Sequence, residues 1–186
     1  GKEHSWDEAF GYWGAAAHGA SLTPKQNYGI AKTKNMRDAD ANGDGVVNLK
    51  SEMNYAHAYD ASAFDRGGNT AYYNTLTKAF IDGRQIIADA KGEKLTDKQL
   101  AKVRRQARTI CMNWEKVIAE AVFKYAGSVY KDIQKLHDIM GGGNMWSVNG
   151  TSEQADYNKA VRTYAKHWGE LQGFALSLHT SGVNLG

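Results

Sequence analysis

The run Asp38-Ala39-Asp40-Ala41-Asn42-Gly43-Asp44-Gly45-Val46-Val47-Asn48 alternates oxygen-bearing side chains with small residues. Counted from Asp40 it reads D-x-N-x-D-G-x-V-N, the opening of a calcium loop of the EF-hand type. Calcium is a hard cation that gathers six to eight oxygen ligands, and Asp40, Asn42 and Asp44 at alternate positions can converge on one centre. Gly45 permits the sharp turn such a loop needs. Val46 would offer its backbone carbonyl, and Val47 would anchor the loop in a core. Asn48 would coordinate directly or through water, and can also cap a following helix. The usual bidentate Glu is displaced, because Ser51 stands where it is expected and Glu52 comes one residue later. Either Glu52 swings in from a shifted helix start or the ion is held more weakly. A second register, from Asp38, ends on Leu49, which has no side-chain oxygen. The candidate calcium ligands are thus Asp40, Asn42, Asp44, Val46, Asn48 and Glu52, set against the plain alternative of a solvated acidic turn. No paired helix–loop–helix precedes the loop, which points to a structural ion and not a sensor.

A second set of residues has transition-metal character. His4 and Asp7 stand one helical turn apart, with Glu8 also one turn from His4, and His167 with Glu170 repeats the three-residue step. On facing helices the two pairs would build a His/carboxylate site for iron, zinc or copper; on separate surfaces they are ordinary ion pairs. The sequence contains no H-E-x-x-H, G-x-S-x-G, Gly-rich phosphate loop or dinucleotide fingerprint. His57, His137 and His179 read as exposed or capping residues. Cys111, the single cysteine, lies among apolar neighbours and reads as a small core residue. Trp6, Phe10, Tyr12 and Trp13 read as core more readily than as a groove for sugar rings or peptide. Lys102, Arg104, Arg105 and Arg108 read as a solvated face rather than a docking site for anionic glycan or a partner chain.

Helices must position all of these. The Thr96-Asp97-Lys98-Gln99 capping box opens an amphipathic stripe from Thr96 to about Met140, with Gly127 a candidate kink and Gly141-Gly142-Gly143 its stop. A second helix is expected from about Ser152 to His179, capped by Thr151 or Ser152, with Tyr157, Ala160, Val161, Tyr164, Trp168, Leu171, Phe174, Ala175 and Leu178 facing inward. Others are expected over Thr70 to Ala90, closed by Gly92, over His4 to Trp13, and from Asn48 to Ala63. Gly14 to Val47 has little periodicity and reads as a long connection, of a length usually functional or disordered. No sustained period-two pattern occurs, so the expected class is all-α, a bundle of about five helices.

Composition agrees. The 186 residues carry 23 Lys+Arg against 20 Asp+Glu and 42% hydrophobic residues, enough for one core and against both disorder and a nucleic-acid partner. Pro24 is the only proline beside 20 glycines, which favours long helices with glycine stops and turns. A lone cysteine excludes a disulfide framework within the chain, and no apolar run is long enough to span a membrane. The chain opens without an initiator Met and with helix-like sequence from His4, and reads as a mature product or a processed fragment.

Lys2-Glu3-His4-Ser5-Trp6-Asp7-Glu8-Ala9-Phe10-Gly11-Tyr12-Trp13-Gly14 resembles the bacterial family called domain of unknown function 4856, itself distantly similar to imelysin-like helical proteins. The resemblance continues through the loop to Asn48-Leu49-Lys50-Ser51-Glu52 and Phe64-Asp65-Arg66, then at Trp114-Glu115-Lys116-Val117-Ile118 and His167-Trp168-Gly169-Glu170 to Ala175. It implies a single imelysin-like domain over 1–186, the C-terminal part of a longer precursor whose N-terminal half is a possible partner. It further implies export in bacteria to the periplasm, the outer membrane or the exterior, often near uptake systems. The functional expectation is a non-enzymatic calcium-binding envelope protein that captures a ligand, glycan or metal, or assembles with a protein partner. The alternatives are an imelysin-like metallopeptidase and a structural subunit of a surface assembly. The imelysin signature G-x-H-x-x-E is met only in part, since His4-Ser5-Trp6-Asp7 gives H-x-x-D and Gly1 stands three places before His4.

Overall fold

The computed structural model describes residues 2–141 and 151–180, and over them the chain is all-α. The helices are α1 (Lys2–Trp13), α2 (Pro24–Ala31), α3 (Ala56–Asp65), α4 (Tyr72–Ala88), α5 (Asp97–Ile139) and α6 (Thr151–Thr180), with a 3-10 turn at Gly19–Ser21. Packing gives two compact units: residues up to Val117, and residues from Ile118 onward, with α5 beginning in the first and ending in the second.

In the first unit the aromatic face of α1 lies against α4 and the stretch of α5 around Ile110, Trp114 and Val117. Trp13 is fully buried, and its Nε1 donates to Thr77 Oγ1 at 3.2 Å. It meets Trp114 edge-on with ring centroids 5.4 Å apart, while Phe10 meets Phe80 at 5.5 Å. Ala58, Ala61, Leu76 and Val117 complete this core. Fully burying a side chain the size of Leu76 or Val117 contributes about 1.5–3 kcal/mol. The core reading therefore holds for Trp13, whereas Tyr12 points outward. A smaller cluster of Ile30, Ala39 and Met53, with Val47 packed on it, sits beneath the loop region.

Gly83 is the contact that lets α1 approach α4. A Cβ built there would lie 2.1 Å from Trp6 Cζ2, so only glycine accommodates the indole, which donates from Nε1 to the Phe80 carbonyl at 2.8 Å. Gly83→Ala should cost about 1–2 kcal/mol, since forced overpacking outweighs the better helix propensity of alanine. In a double-mutant cycle with Trp6→Leu the two costs should be strongly non-additive; additive costs would refute this contact as the cause.

In the second unit α5 and α6 run antiparallel. Tyr125 stacks on Phe174 at 5.6 Å, and His167 Nδ1 lies 2.6 Å from Asp132 Oδ2 one step along the pair. Ala121, Val129 and Ala160 are buried along this seam.

Several expectations are corrected. The helix expected from Asn48 starts only at Ala56, because residues 51–55 are engaged with the segment after α1: Ala17 N donates to the Ser51 carbonyl at 2.7 Å, Ala16 N to Asn54 Oδ1 at 2.8 Å, and Tyr55 N to the Gly14 carbonyl at 2.7 Å. The connection from Gly14 to Val47 is not structureless, since it contains the 3-10 turn and α2. Thr23 and Gln26 form a complete capping box there, and Pro24 occupies the start of the helix, where its missing N–H costs nothing. The helix at Gly127 is continuous, with open space where a Cβ would stand. Cys111 is exposed, not core, and Trp168 is half exposed, with His167 taking the inward position beside it. α4 ends earlier than expected, at Ala88 with Asp89 as its cap, and Gly92, left-handed at φ +85°, lies in the turn that follows instead of stopping the helix. Gly142, Gly143 and the side chains of Thr151 and Ser152 lie outside the described residues.

Candidate functional site

The loop beginning at Asp40 is ordered by its own side chains. Asp40 Oδ1 accepts from Gly43 N at 2.8 Å and Asp44 N at 3.2 Å, and its Oδ2 accepts from Gly45 N at 2.8 Å. Asn42 Oδ1 accepts from Asp44 N at 3.1 Å, and Asp44 Oδ1 from Val46 N at 2.8 Å. Gly43 and Gly45 take φ of +73° and +82°, the left-handed conformations that aim these N–H groups at the carboxylates. The side chains of Asp40, Asn42 and Asp44 thus turn back into one loop, as their alternate spacing suggests.

Glu52 ties the two ends of the loop together. Its Oε1 accepts from Ala41 N at 3.1 Å and its Oε2 from Asn48 N at 2.7 Å, with the residue only 6% exposed. The sequence raises a shifted helix start as the way for Glu52 to reach the loop. It arrives without one, because Asn48 Oδ1 accepts from Lys50 N and the Asn48 carbonyl from Glu52 N in a single turn. Asn48 consequently caps a turn, not α3. Val46 is 68% exposed, so its side chain makes no packing demand on its backbone, while Val47 packs on the Ile30 cluster. Asp38 stands apart from the loop: its carboxylate accepts from Asn35 Nδ2 at 2.5 Å and its carbonyl from His18 Nε2 at 2.8 Å. The donors available are all oxygens, and Asp40, Asp44 and Glu52 lie in one short segment, although their carboxylates do not gather as a metal-binding group. An all-oxygen set is the donor chemistry of a hard divalent cation.

The transition-metal candidates have other partners. Asp7 accepts from Arg84 Nε at 2.7 Å, while His4 is exposed on α1. His167 is paired with Asp132, and Glu170 lies 4.0 Å from Lys166 Nζ. The two pairs belong to different units of the chain. Among the described residues no three His, Cys, Asp or Glu side chains gather as a metal-binding group. Lys102, Arg104, Arg105 and Arg108 are exposed.

Three features escape a reading of residue types alone. The first is a buried amide network: Asn54 Oδ1 accepts from Ala16 N at 2.8 Å and from the Tyr73 hydroxyl at 2.7 Å, while Asn54 Nδ2 donates to Asn27 Oδ1 and to the Asn27 carbonyl, each at 3.0 Å. The second is a ladder on the surface of α2 and α3, where Arg66 covers Tyr28, Tyr28 stacks on Tyr59, and Lys32 covers Tyr59. The third is His57, which accepts from Trp114 Nε1 instead of standing exposed.

Two of these groups set a pH window. Burial holds the His57 imidazole below its usual pKa, so its contribution to stability is present above about pH 6.5 and is lost as pH falls through its folded value. Burial pushes the Tyr73 hydroxyl up, against the smaller opposing effects of its hydrogen-bond partners. Its contribution is fully present below about pH 10 and is lost as pH rises toward its folded value. Chemical denaturation across pH should show a plateau between these limits, with the acid limb displaced in His57→Gln. An unchanged acid limb in that variant would remove His57 as a cause.

Comparison with family models, with curated proteins and with solved structures finds no match. The loop geometry and the residues of the family resemblance therefore carry the functional reading.

Proposed function

We propose that the chain is a non-enzymatic calcium-binding protein of the bacterial cell envelope or exterior, in which the ion braces the connection between α2 and α3 and the domain serves in ligand capture or assembly. The calcium part rests on one observation: the N–H groups of Ala41, Gly43, Asp44, Gly45, Val46 and Asn48 are all turned onto side-chain oxygens within the same segment. That arrangement spends the N–H groups on holding the carboxylates in place. Asp40, Asn42, Asp44 and the Val46 carbonyl would hold the ion, Asn48 would complete the set directly or through water, and Glu52 would fix the loop ends from behind. The ion would supply positive charge against the local repulsion of Asp40, Asp44 and Glu52. The envelope location and the membership in the 4856 family rest on the residues of the resemblance, and no helix of the described residues is long and apolar enough to cross a membrane.

Calcium at about a hundred times its dissociation constant should stabilise the chelator-stripped protein by about 2.7 kcal/mol, a rise in Tm of roughly 5–10 °C. Asp40→Ala should abolish both this shift and the calorimetric binding signal. Absence of heat and of any thermal shift in the unsubstituted protein would refute calcium binding.

A structural subunit is the second reading, favoured by the exposure of Phe123, Tyr130 and Ile133 along α5. Their spacing places them on one side of the helix, an apolar stripe of the kind that marks interaction surfaces. Sedimentation of purified protein as a monomer at all concentrations, and with no partner in its native extract, would count against it.

A further inference from the structure

A pocket of about 330 Å³ opens between α1 and α4 in the first unit. Its lining combines aromatic side chains, the partly buried Trp6 and Phe10 over the buried Phe80, with the polar Asp7, Arg84 and Gln85. The volume is at the small end for ligand sites and suits a single substituted ring.

The state of each polar group narrows the ligand chemistry. Arg84 is shared by two carboxylates, with Nε 2.7 Å from Asp7 Oδ1 and Nη2 3.3 Å from Glu3 Oε2. An anionic ligand would have to displace carboxylates already in place, and a cation would be set against the guanidinium. An uncharged ligand meets neither penalty. Gln85 donates from Nε2 to Asp89 Oδ1 at 2.6 Å, which leaves its carbonyl oxygen as an acceptor. The polar lining thus holds acceptors on Asp7 and Gln85 together with the remaining N–H groups of Arg84. Trp6 spends its only donor on the Phe80 carbonyl, so the aromatic lining offers ring faces and edges alone. A wholly apolar ring would desolvate the polar lining without replacing its hydrogen bonds to water.

We infer that this pocket takes one pyranose ring of a neutral saccharide, with its C–H face on the partly buried Trp6 and Phe10 and adjacent hydroxyls on Asp7, Arg84 and Gln85. The positively polarised C–H groups of one ring face suit the negative faces of aromatic rings. Neighbouring hydroxyls each donate and accept, which suits a lining that carries both acceptors and donors. This rests on the reading of the chain as a binding module, but the pocket shares no residue with the calcium loop.

The test is nitrogen-15 NMR of the full chain titrated with methyl glycosides of glucose, galactose and mannose, following the Trp6 indole N–H. A saturable shift with roughly millimolar affinity for at least one glycoside is expected, as befits a ligand of this few atoms. Asp7→Ala, an exposed position, should weaken that affinity about tenfold, the loss of one charge-assisted hydrogen bond. Ile81→Trp, at a half-exposed lining position, should fill the pocket and abolish the shift. The inference is overturned if the folded protein responds to none of the glycosides. It is equally overturned if cyclohexylmethanol, tetramethylammonium or inorganic phosphate moves the same resonance with equal or greater affinity. Calcium titration of the same sample keeps the two readings separate: a chain that binds calcium but no glycoside loses this inference alone.

Discussion

Asn54→Ala should lower the stability of the first unit by about 3–5 kcal/mol, a large part of the 5–15 kcal/mol that holds an ordinary domain together. Asn54 is 2% exposed and serves three separate pieces of chain: the Ala16 amide after α1, Asn27 in α2, and the Tyr73 hydroxyl in α4. Asn27 passes the network on, donating to the Gly19 carbonyl at 2.9 Å. Truncating Asn54 leaves a buried backbone donor, a phenolic hydroxyl and an amide acceptor without their partner, at about 1–3 kcal/mol for each group left unsatisfied. The cavity itself adds little, since the lost side chain is small. Asn54→Asp keeps the acceptor for Ala16 and Tyr73 but loses the donor to Asn27 and buries a charge, so it should be no milder. Urea unfolding monitored by circular dichroism reads both effects. A cost below about 1 kcal/mol for Asn54→Ala would show that water replaces the side chain without loss.

Asp65→Ala should cost about 2–4 kcal/mol through the start of α4. The residue preceding that helix, Ala71, has no side chain to cap it. The task falls to Asp65, at the end of α3, whose Oδ1 accepts from Thr70 Oγ1 at 2.7 Å and Tyr72 N at 2.9 Å, and whose Oδ2 accepts from Tyr73 N at 2.7 Å. A buried carboxylate aimed at a helix N-terminus gains both from these N–H groups and from the helix dipole. Asp65→Asn retains one acceptor and should cost about half as much. Amide exchange distinguishes a local from a global effect: the Tyr72 and Tyr73 amides should lose protection first in Asp65→Ala, and retention of their protection would contradict the capping role.

The helices with long apolar stripes were legible in sequence to within a few residues, because burial of one face repeats with the helical period and Thr96 with Gln99 announces the start of α5. The same signature at Thr23 and Gln26 marks α2, and Pro24 beside it is a helix-start residue as much as a breaker. It escapes a reading based on periodicity because α2 has only 8 residues, too few for a stripe to stand out. The delayed start of α3 was not legible for a different reason. Residues 51–55 have acceptable helix propensity, and only their distant partners Gly14 to Ala17 draw them away. Cys111 and Trp168 show the limit of reading an apolar residue as an inward one, since a helix packed on one side leaves the other side's apolar residues in water. At the loop, the alternation of Asp40, Asn42 and Asp44 carries its own geometry, as the side chains bond within the segment. The pocket does not announce itself, because it requires Arg84 to meet Asp7 and Glu3 across most of the first unit.

That separation bears on synthesis at the ribosome. Every tertiary hydrogen bond of α1 described above closes onto α4, Trp6 to Phe80, Trp13 to Thr77, and Arg84 to Asp7 and to Glu3, at separations of 74, 64, 77 and 81 residues. At roughly 5–20 residues per second, α1 emerges several seconds ahead of its docking surface. Through that interval Trp6, Phe10 and Trp13 have no native cover, and the nascent chain presents an aromatic-rich segment suited to chaperone capture. Moving α1 behind α4 by circular permutation would abolish the wait, and should raise soluble yield more in cells short of chaperones than in cells well supplied with them.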